Sequence, residues 1–381
     1  MTGRRGSPTE VAILLPSFAP FDAIGTHVVE LRSALLEAGI DARIYADEIK
    51  PGLEGEAIPS RKLMKGRRRD GRFILYQLST NSNLYHHLLQ RHEPLLVQYH
   101  NITPRAQVMG FDAGMATAVA WGRRQLEDLR IRTRLALAVS HYNADELAAA
   151  EYESVVVAPP LIRPLHTPAA SRDYAAAEHR LLYVGRLAPN KAHEDLIAAL
   201  AVYNETFAPR ATLTLVGSTT VAAYGEYLRS LAQELGVSNA VTFASGVSQD
   251  DLARLYAESH LFVSASRHEG FGFPLIEAMR SGLPVVAHAS SAIPETAGKA
   301  ALLTPSSEPE TLATAWRMIL AGTDAREALV DEGHKRAADF DLGRSKLANL
   351  QALANLVPIE GVVAAPLYYR REATAAPGSN S

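Results

Sequence analysis

LLYVGRLAPNKAHEDLIAAL, residues Leu181 to Leu200, decides how this chain is read. The apolar run Leu181–Val184 shows no alternation, as expected of a strand covered on both faces. Gly185 interrupts it, and from His193 onward Leu196, Ile197 and Leu200 recur at helical spacing. A strand leading through a short loop into a helix is the repeating unit of a parallel, doubly wound sheet. Ligands of such sheets bind beyond the carboxyl ends of the strands, where Gly185, Arg186 and Lys191 fall. An arginine fork and a lysine point charge suit a diphosphate; two ordinary cations on a solvated loop are the plainer alternative. The loop is neither a P-loop nor a dinucleotide fingerprint, because GxxxxGK[ST] and GxGxxG are both absent.

The same alternation extends in both directions. Upstream, EVAILLPSF, DARIYA, ILYQLS, LLVQYHNI and LALAVS read as strands. Helical stretches separate them at Gly25–Ala38, Phe111–Arg132 and Asn143–Ala150. A segment containing Pro159, Pro160, Pro164 and Pro168 then interrupts the pattern as a connector. Downstream, ATLTLVGS, AVTFASG, LFVSAS and LPVVAH alternate with further helices. The expected architecture is α/β, with two Rossmann-like doubly wound domains facing a cleft. Residues 1–165 form the N-terminal acceptor-binding domain, 166–178 a Pro-rich linker and 179–345 the C-terminal nucleotide-sugar domain. Residues 346–368 form a helical segment packing back on the N-domain, and 369–381 a disordered tail.

A second stretch, RHEGFGFPLIEAM (Arg267–Met279), follows GRLAPNK by about eighty residues. Pro274 suits the first turn of a helix and Gly282 its end. The free amides and positive dipole end would then lie near Gly272–Leu275, a place that favours phosphate. Gly270 and Gly272 allow close backbone approach. Glu269 precedes the helix, and Glu277 is expected in its first turn. One carboxylate can accept two hydrogen bonds from a vicinal diol such as a ribose, and the other can accept from sugar hydroxyls. Two acids that merely stabilise a helix N-terminus are the competing reading.

Together, GRLAPNK and RHEGFGFPLIEAM resemble the donor site of the retaining glycosyltransferases of family 4 (glycosyl transferases group 1), which have the GT-B fold. The resemblance covers nearly the whole chain. It implies that Arg186 and Lys191 neutralise a nucleotide diphosphate, that Glu269 faces the transferred sugar and that Glu277 holds the ribose. It extends to Phe271 and Phe273 of the donor loop, and to a glycine-bearing loop after the first strand (Phe21–His27, with Gly25). Relatives often carry two glycines there, whereas DAIGTH has one. VSHYNADEL around Ser140 matches the family's end-of-domain strand and helix, and SAIPETAG (Ser291–Gly298) the loop after the donor helix. His100 takes the place of a histidine near the transferred sugar, and the Gly246–Val247 backbone lies near the base. Asn101 and Thr103 line the acceptor side. His268 is expected to point away from the cleft.

Glu269, His100, Arg186 and Lys191 are thus the candidate catalytic residues. The chemistry implied is front-face transfer of a hexosyl group, mannosyl or glucosyl in type, onto a glycan, lipid-linked or small-molecule acceptor in envelope or exopolysaccharide assembly. No cofactor or metal is expected, since cations stand where a DxD-type acidic cluster would hold one. A catalytically silent sugar-nucleotide-binding protein and a GT-B sugar-phosphate synthase are the alternatives.

Composition narrows the classes further. A net charge of -3 argues against a nucleic-acid partner. The chain has no cysteine, which excludes disulfides, thiolate zinc sites and a thiol nucleophile. VAILLPSF is too short for a secretory h-region, and no apolar run reaches the roughly 20 residues of a membrane helix. A cytoplasmic location is expected. Arg61–Arg72, with seven cations against one acid, reads as a solvated loop or as a peripheral contact for anionic lipid headgroups.

Overall fold

The computed structural model describes residues 9–19, 23–166, 168 and 172–368. The expected disordered tail 369–381 lies outside them. Two parallel sheets make up the molecule. The first contains β1 (Glu10–Phe18), β2 (Asp41–Ile49), β3 (Ile58–Pro59), β4 (Arg72–Leu78), β5 (Leu95–Tyr99), β6 (Thr133–Ala138) and β7 (Val155–Val157). Its order is β3-β2-β1-β4-β5-β6-β7. The second contains β8 (Glu178–Val184), β9 (Arg210–Val216), β10 (Val241–Ala244), β11 (Leu261–Ser264), β12 (Val285–His288) and β13 (Leu302–Thr304), in the order β10-β9-β8-β11-β12-β13.

Each sheet is wrapped by helices. The first domain carries α1 (Ala23–Glu37), α2 (Ser60–Met64), α3 (Leu84–Gln90), α4 (Ala113–Leu129) and α5 (His141–Ala149). The second carries α6 (His193–Thr206), α7 (Ala222–Glu234), α8 (Gln249–Glu258), α9 (Phe273–Arg280), α10 (Ile293–Ala297), α11 (Pro309–Ala321) and α12 (Thr323–Asp339). Burial on both faces explains the unbroken apolar strands. Val11, Ile13 and Leu15 of β1 enter one core, while Ala12 and Leu14 enter the core on the opposite face.

The chain ends by returning. Helix α13 (Leu342–Leu353) packs on α1 and contributes Ala352 and Leu353 to the core of the first domain. Its Asn349 donates to the carbonyl of Pro159 (2.8 Å) in the connector. The Leu161 amide of the same connector donates to Nδ1 of the buried His27 (3.1 Å). Both segments that cross between the domains are therefore anchored to the first domain.

The domains also touch directly. Val139 and Ile162 join the core around Phe271, Leu275 and Ile276 of the second domain. Phe111 packs its ring 5.0 Å from Tyr224 and 5.5 Å from Tyr227 of α7. The carboxyl ends of β5, β6, β8 and β11 consequently converge on one cleft.

The basic loop lies elsewhere. Arg69 and Arg72 both pair with the buried Glu10, at 2.9 and 3.0 Å, where β1 and β4 begin. Arg67 and Arg68 are exposed beside them, at the amino end of the sheet and about 20 Å of strand away from the cleft. Lys62 and Lys65 are exposed on and just after α2, which starts at Ser60, whose hydroxyl donates to Asp47 in the carboxyl half of β2 (3.0 Å). No helix among the described residues is long and apolar enough to cross a membrane.

Candidate active site

The loop after β8 and the loop after β11 are laced together. The Arg267 amide donates to the Asn190 carbonyl (2.9 Å), and the Asn190 side chain donates to the His268 carbonyl (3.4 Å). The Arg267 guanidinium bonds Glu194 and Asp195 in the first turn of α6, at 2.9 and 2.8 Å. Arg267 is therefore a strut between the loops. Lys191 ends a single 3-10 turn (Pro189–Lys191) and points its Nζ at Glu269 Oε1, 2.6 Å away. These side chains are only 13% and 17% exposed, so the pair is largely desolvated. Arg186 is exposed and has no hydrogen bond or ion pair among the described residues.

Glu269 is held through its backbone. Its amide donates to Ser291 Oγ (2.7 Å), and its carbonyl accepts from the Ala292 amide (3.3 Å). Gly272 then turns at φ 94° and precedes α9 as its N-cap, a conformation that favours glycine. No side chain caps this helix, so its first amides have no side-chain acceptor and its positive end is left uncompensated there. Glu277 is partly buried and accepts from the Tyr256 hydroxyl (2.8 Å). Desolvation pushes its carboxyl up to about 7, against the opposing Tyr256 bond and the Arg280 charge. Across the cleft, His100 Nε2 lies 2.7 Å from Gln77 Oε1 and its ring 5.4 Å from that of His27. Burial, and secondarily His27, holds His100 well below its ordinary pKa, so it is a neutral imidazole at pH 7.

Residues 172–336 match the family model described as glycosyl transferases group 1. That match spans 165 of the 381 residues. The MMP alpha-(1->4)-mannosyltransferase of Mycolicibacterium hassiacum is 38% identical over 127 residues, 32% of this chain and 31% of that protein. A D-inositol 3-phosphate glycosyltransferase of Salinispora arenicola is 28% identical over 280 residues, 68% and 59% of the two chains. The chain thus spans about a third to three-fifths of the length of these curated relatives. The fold also matches Anabaena HepE, solved in complex with UDP-glucose, with a TM-score of 0.71 and 19% identity. That match covers 91% of this chain and 100% of the other, and the fold is GT-B.

Within the matched residues, the structure brings Lys191, Glu269, Gly270 and Gly272 together, and it sets His100 against them from the other domain. Several expected placements change. Glu277 is the fifth residue of α9 and lies in its second turn, because the helix begins at Phe273. Gly25 is not in a loop; α1 begins at Ala23 and takes it into the first turn. Phe271 turns its ring inward, 5.1 Å from Phe340, so only its backbone borders the cleft. Phe273 is partly buried against the same core. Gly246 is exposed at φ 66° after β10, and Val247 packs beside Leu252 and Leu255. His268 does not point away: its Nε2 meets Asn101 Oδ1 at 2.5 Å. Asn101 itself sits at φ 83° and donates to Asn143 Oδ1 (2.7 Å).

Sequence reasoning missed Tyr256, Ser291 and Glu295 as parts of this site. SAIPETAG was noted for its place after the donor helix, but nothing local in it shows what Ser291 and Glu295 bind.

Glu277 carries a pH prediction. An ionised carboxylate can accept both hydroxyls of a diol, and a protonated one cannot. Nucleoside diphosphate affinity, measured by calorimetry, should therefore strengthen as pH rises from about 6 to 8 through the carboxyl's pKa of about 7. Glu277→Gln should weaken binding and flatten that dependence. The stability sign is opposite for the ligand-free protein. A pKa raised from 4.5 to about 7 contributes stability that is present below 4.5 and is lost as pH rises through 7.

Proposed function

We propose that this chain is a retaining glycosyltransferase of family 4. It moves a hexosyl group from a nucleoside diphosphate sugar to a glycan, lipid-linked or small-molecule acceptor in cell-envelope or exopolysaccharide assembly. The observation that carries the reading is the desolvated Lys191–Glu269 pair just before α9, with the exposed Arg186 on the same loop after β8 as Lys191. A carboxylate and two cations at one cleft match a substrate with hydroxyls on one side and a diphosphate on the other. Without donor, Lys191 and Glu269 satisfy each other. A diphosphate offers Lys191 a stronger partner and leaves Glu269 for the sugar hydroxyls.

Charge developing on the leaving diphosphate falls to Lys191 and the α9 amides, which are held in place before the reaction, and to Arg186, which is free to turn onto the phosphates. These groups do the work that a metal does elsewhere, and the proposed reaction is metal-independent. Glu277 takes the ribose, and the neutral His100 borders the transferred sugar. Transfer is to the same face, with the leaving phosphate accepting the acceptor's proton. Mannosyl and glucosyl donors are favoured by the names of the mannosyltransferase relative and of the UDP-glucose complex.

The test is a panel of nucleotide sugars scored for nucleoside diphosphate release, with anomer analysis of the product and an EDTA arm. One donor should be turned over with retention, and EDTA should not change the rate. Binding without release would favour a silent sugar-nucleotide-binding protein. Release only with a sugar-phosphate acceptor would favour a synthase.

We place the protein in the cytoplasm, with the exposed Lys62, Lys65, Arg67 and Arg68 as a peripheral contact for anionic headgroups. Arg67 and Arg68 lie at the amino end of the first sheet, so a surface that meets them leaves the cleft at the other end of the strands. The contact would tether the protein and would not feed a headgroup into the site. Changing these four residues to Gln should abolish sedimentation with phosphatidylglycerol vesicles and leave turnover of a soluble acceptor intact; unchanged sedimentation removes the idea.

A further inference from the structure

The loop that carries Glu269 is held from both domains. Within its own domain, Ser291 and Ala292 bind the Glu269 amide and carbonyl, and the Thr296 hydroxyl donates to the Phe271 carbonyl (2.6 Å). The carbonyl between them, that of Gly270, accepts from Ser140 Oγ of the other domain (2.7 Å). Ser140 is fully buried and is also the N-cap of α5, where its Oγ accepts from the Asn143 amide (3.2 Å).

The same helix end is bound a second time. The His141 and Tyr142 amides, which lack intrahelical partners, donate to the Glu295 carboxylate at 2.8 and 3.2 Å. His141 Nδ1 lies 2.7 Å from Glu295 Oε1. Glu295 belongs to α10, the segment that supplies Thr296 and follows Ser291 and Ala292. A carboxylate on free helix amides is a charge-assisted cap, and here cap and helix belong to different domains. The contacts form a closed circuit: α5 to Glu295, Glu295 through α10 to the Glu269 loop, and the loop through Ser140 back to α5.

We propose that Ser140 and Glu295 are positioning residues, and that approach of the N-terminal domain sets the place of Glu269. Separation of the domains would break both links at once and leave Gly270 held by its own domain only. The inference rests on Glu269 acting in glycosyl transfer, so its test includes a readout that needs no turnover.

Ser140→Ala, Glu295→Gln and the double variant would be compared with wild type. Expected are a roughly tenfold or greater fall in kcat for each single variant and a donor KM within about threefold of wild type. The double variant should be no worse than the more severe single one, because both act through one loop. Ser140→Thr, which keeps the hydroxyl, should recover most of the rate. Hydrogen exchange at the amides of residues 268–272 should speed up in Ser140→Ala and Glu295→Gln while the rest of the C-terminal domain stays protected. Wild-type kcat with unchanged exchange would overturn the proposal and leave the transferase reading standing, as would a loss confined to KM. A protein with no transferase activity but faster exchange at 268–272 would keep the coupling and overturn the transferase reading.

Discussion

A methyl group at position 270 is expected to lower the rate of sugar transfer by about two orders of magnitude while both domains stay folded. A Cβ built on Gly270 would lie 2.6 Å from the His100 carbonyl oxygen and 2.7 Å from Asn101 Cβ. Real Cβ atoms do not approach so closely, so something must move. The His100 amide is bonded to the Leu78 carbonyl (2.9 Å), and Asn101 already occupies φ 83° with its side chain bonded on both sides. The wall on that side is therefore stiff, and the movement falls on the loop that carries Glu269 or on the spacing of the domains. Either displaces a reacting group by a sizeable fraction of an ångström. Circular dichroism and the melting temperature of Gly270→Ala should stay near wild type while kcat falls. A near-normal rate would mean that the interface yields without moving Glu269.

That glycine also shows where sequence reading stops. The absence of a Cβ has one local signature and two causes, a ligand or another piece of protein. Gly270 was assigned to the ligand, but its crowding comes from His100 and Asn101, about 170 residues upstream. The same limit applies to Phe271 and Phe273, which look equivalent in GFGF although one ring is buried against Phe340 and the other only partly covered. It applies to His268, whose partner Asn101 lies in the other domain.

The elements themselves were legible because their causes are local. β1 and β8 are apolar on both faces since helices cover both, and glycine and proline mark the breaks between the units. The pairing of GRLAPNK with RHEGFGFPLIEAM was legible through the family resemblance the two stretches carry together, and it agrees with strand-end loops of a doubly wound sheet meeting at one edge. Helix starts were off by a turn or less at Gly25 and at Glu277, the latter in a helix with no side-chain cap. Contacts between domains, such as Ser140 with Gly270 and Glu295 with α5, have no sequence period and appear only when the chain is folded.

Lys191 and Glu269 yield the largest expected effects, and the effects should have opposite signs on nucleotide binding. The pair is 2.6 Å apart and mostly withdrawn from water. Lys191→Ala removes the cation proposed to face the leaving diphosphate. Loss of one preorganised electrostatic group of this kind costs about 10²–10³ in kcat. It also strands the Glu269 carboxylate, so nucleoside diphosphate binding should weaken and the ligand-free melting temperature should fall. Glu269→Ala removes the group assigned to the sugar, and transfer should fall by a similar factor. In that variant, however, Lys191 loses the partner with which a diphosphate must compete, so nucleoside diphosphate should bind as tightly as to wild type or tighter. Calorimetry with the nucleoside diphosphate alone separates the cases, because that ligand carries no sugar for Glu269 to touch. Weaker binding in Glu269→Ala would mean that the carboxylate holds Lys191 in place for the phosphate and does not compete for it. Unchanged turnover in both variants would remove the pair from the reaction and with it the site assigned to this cleft.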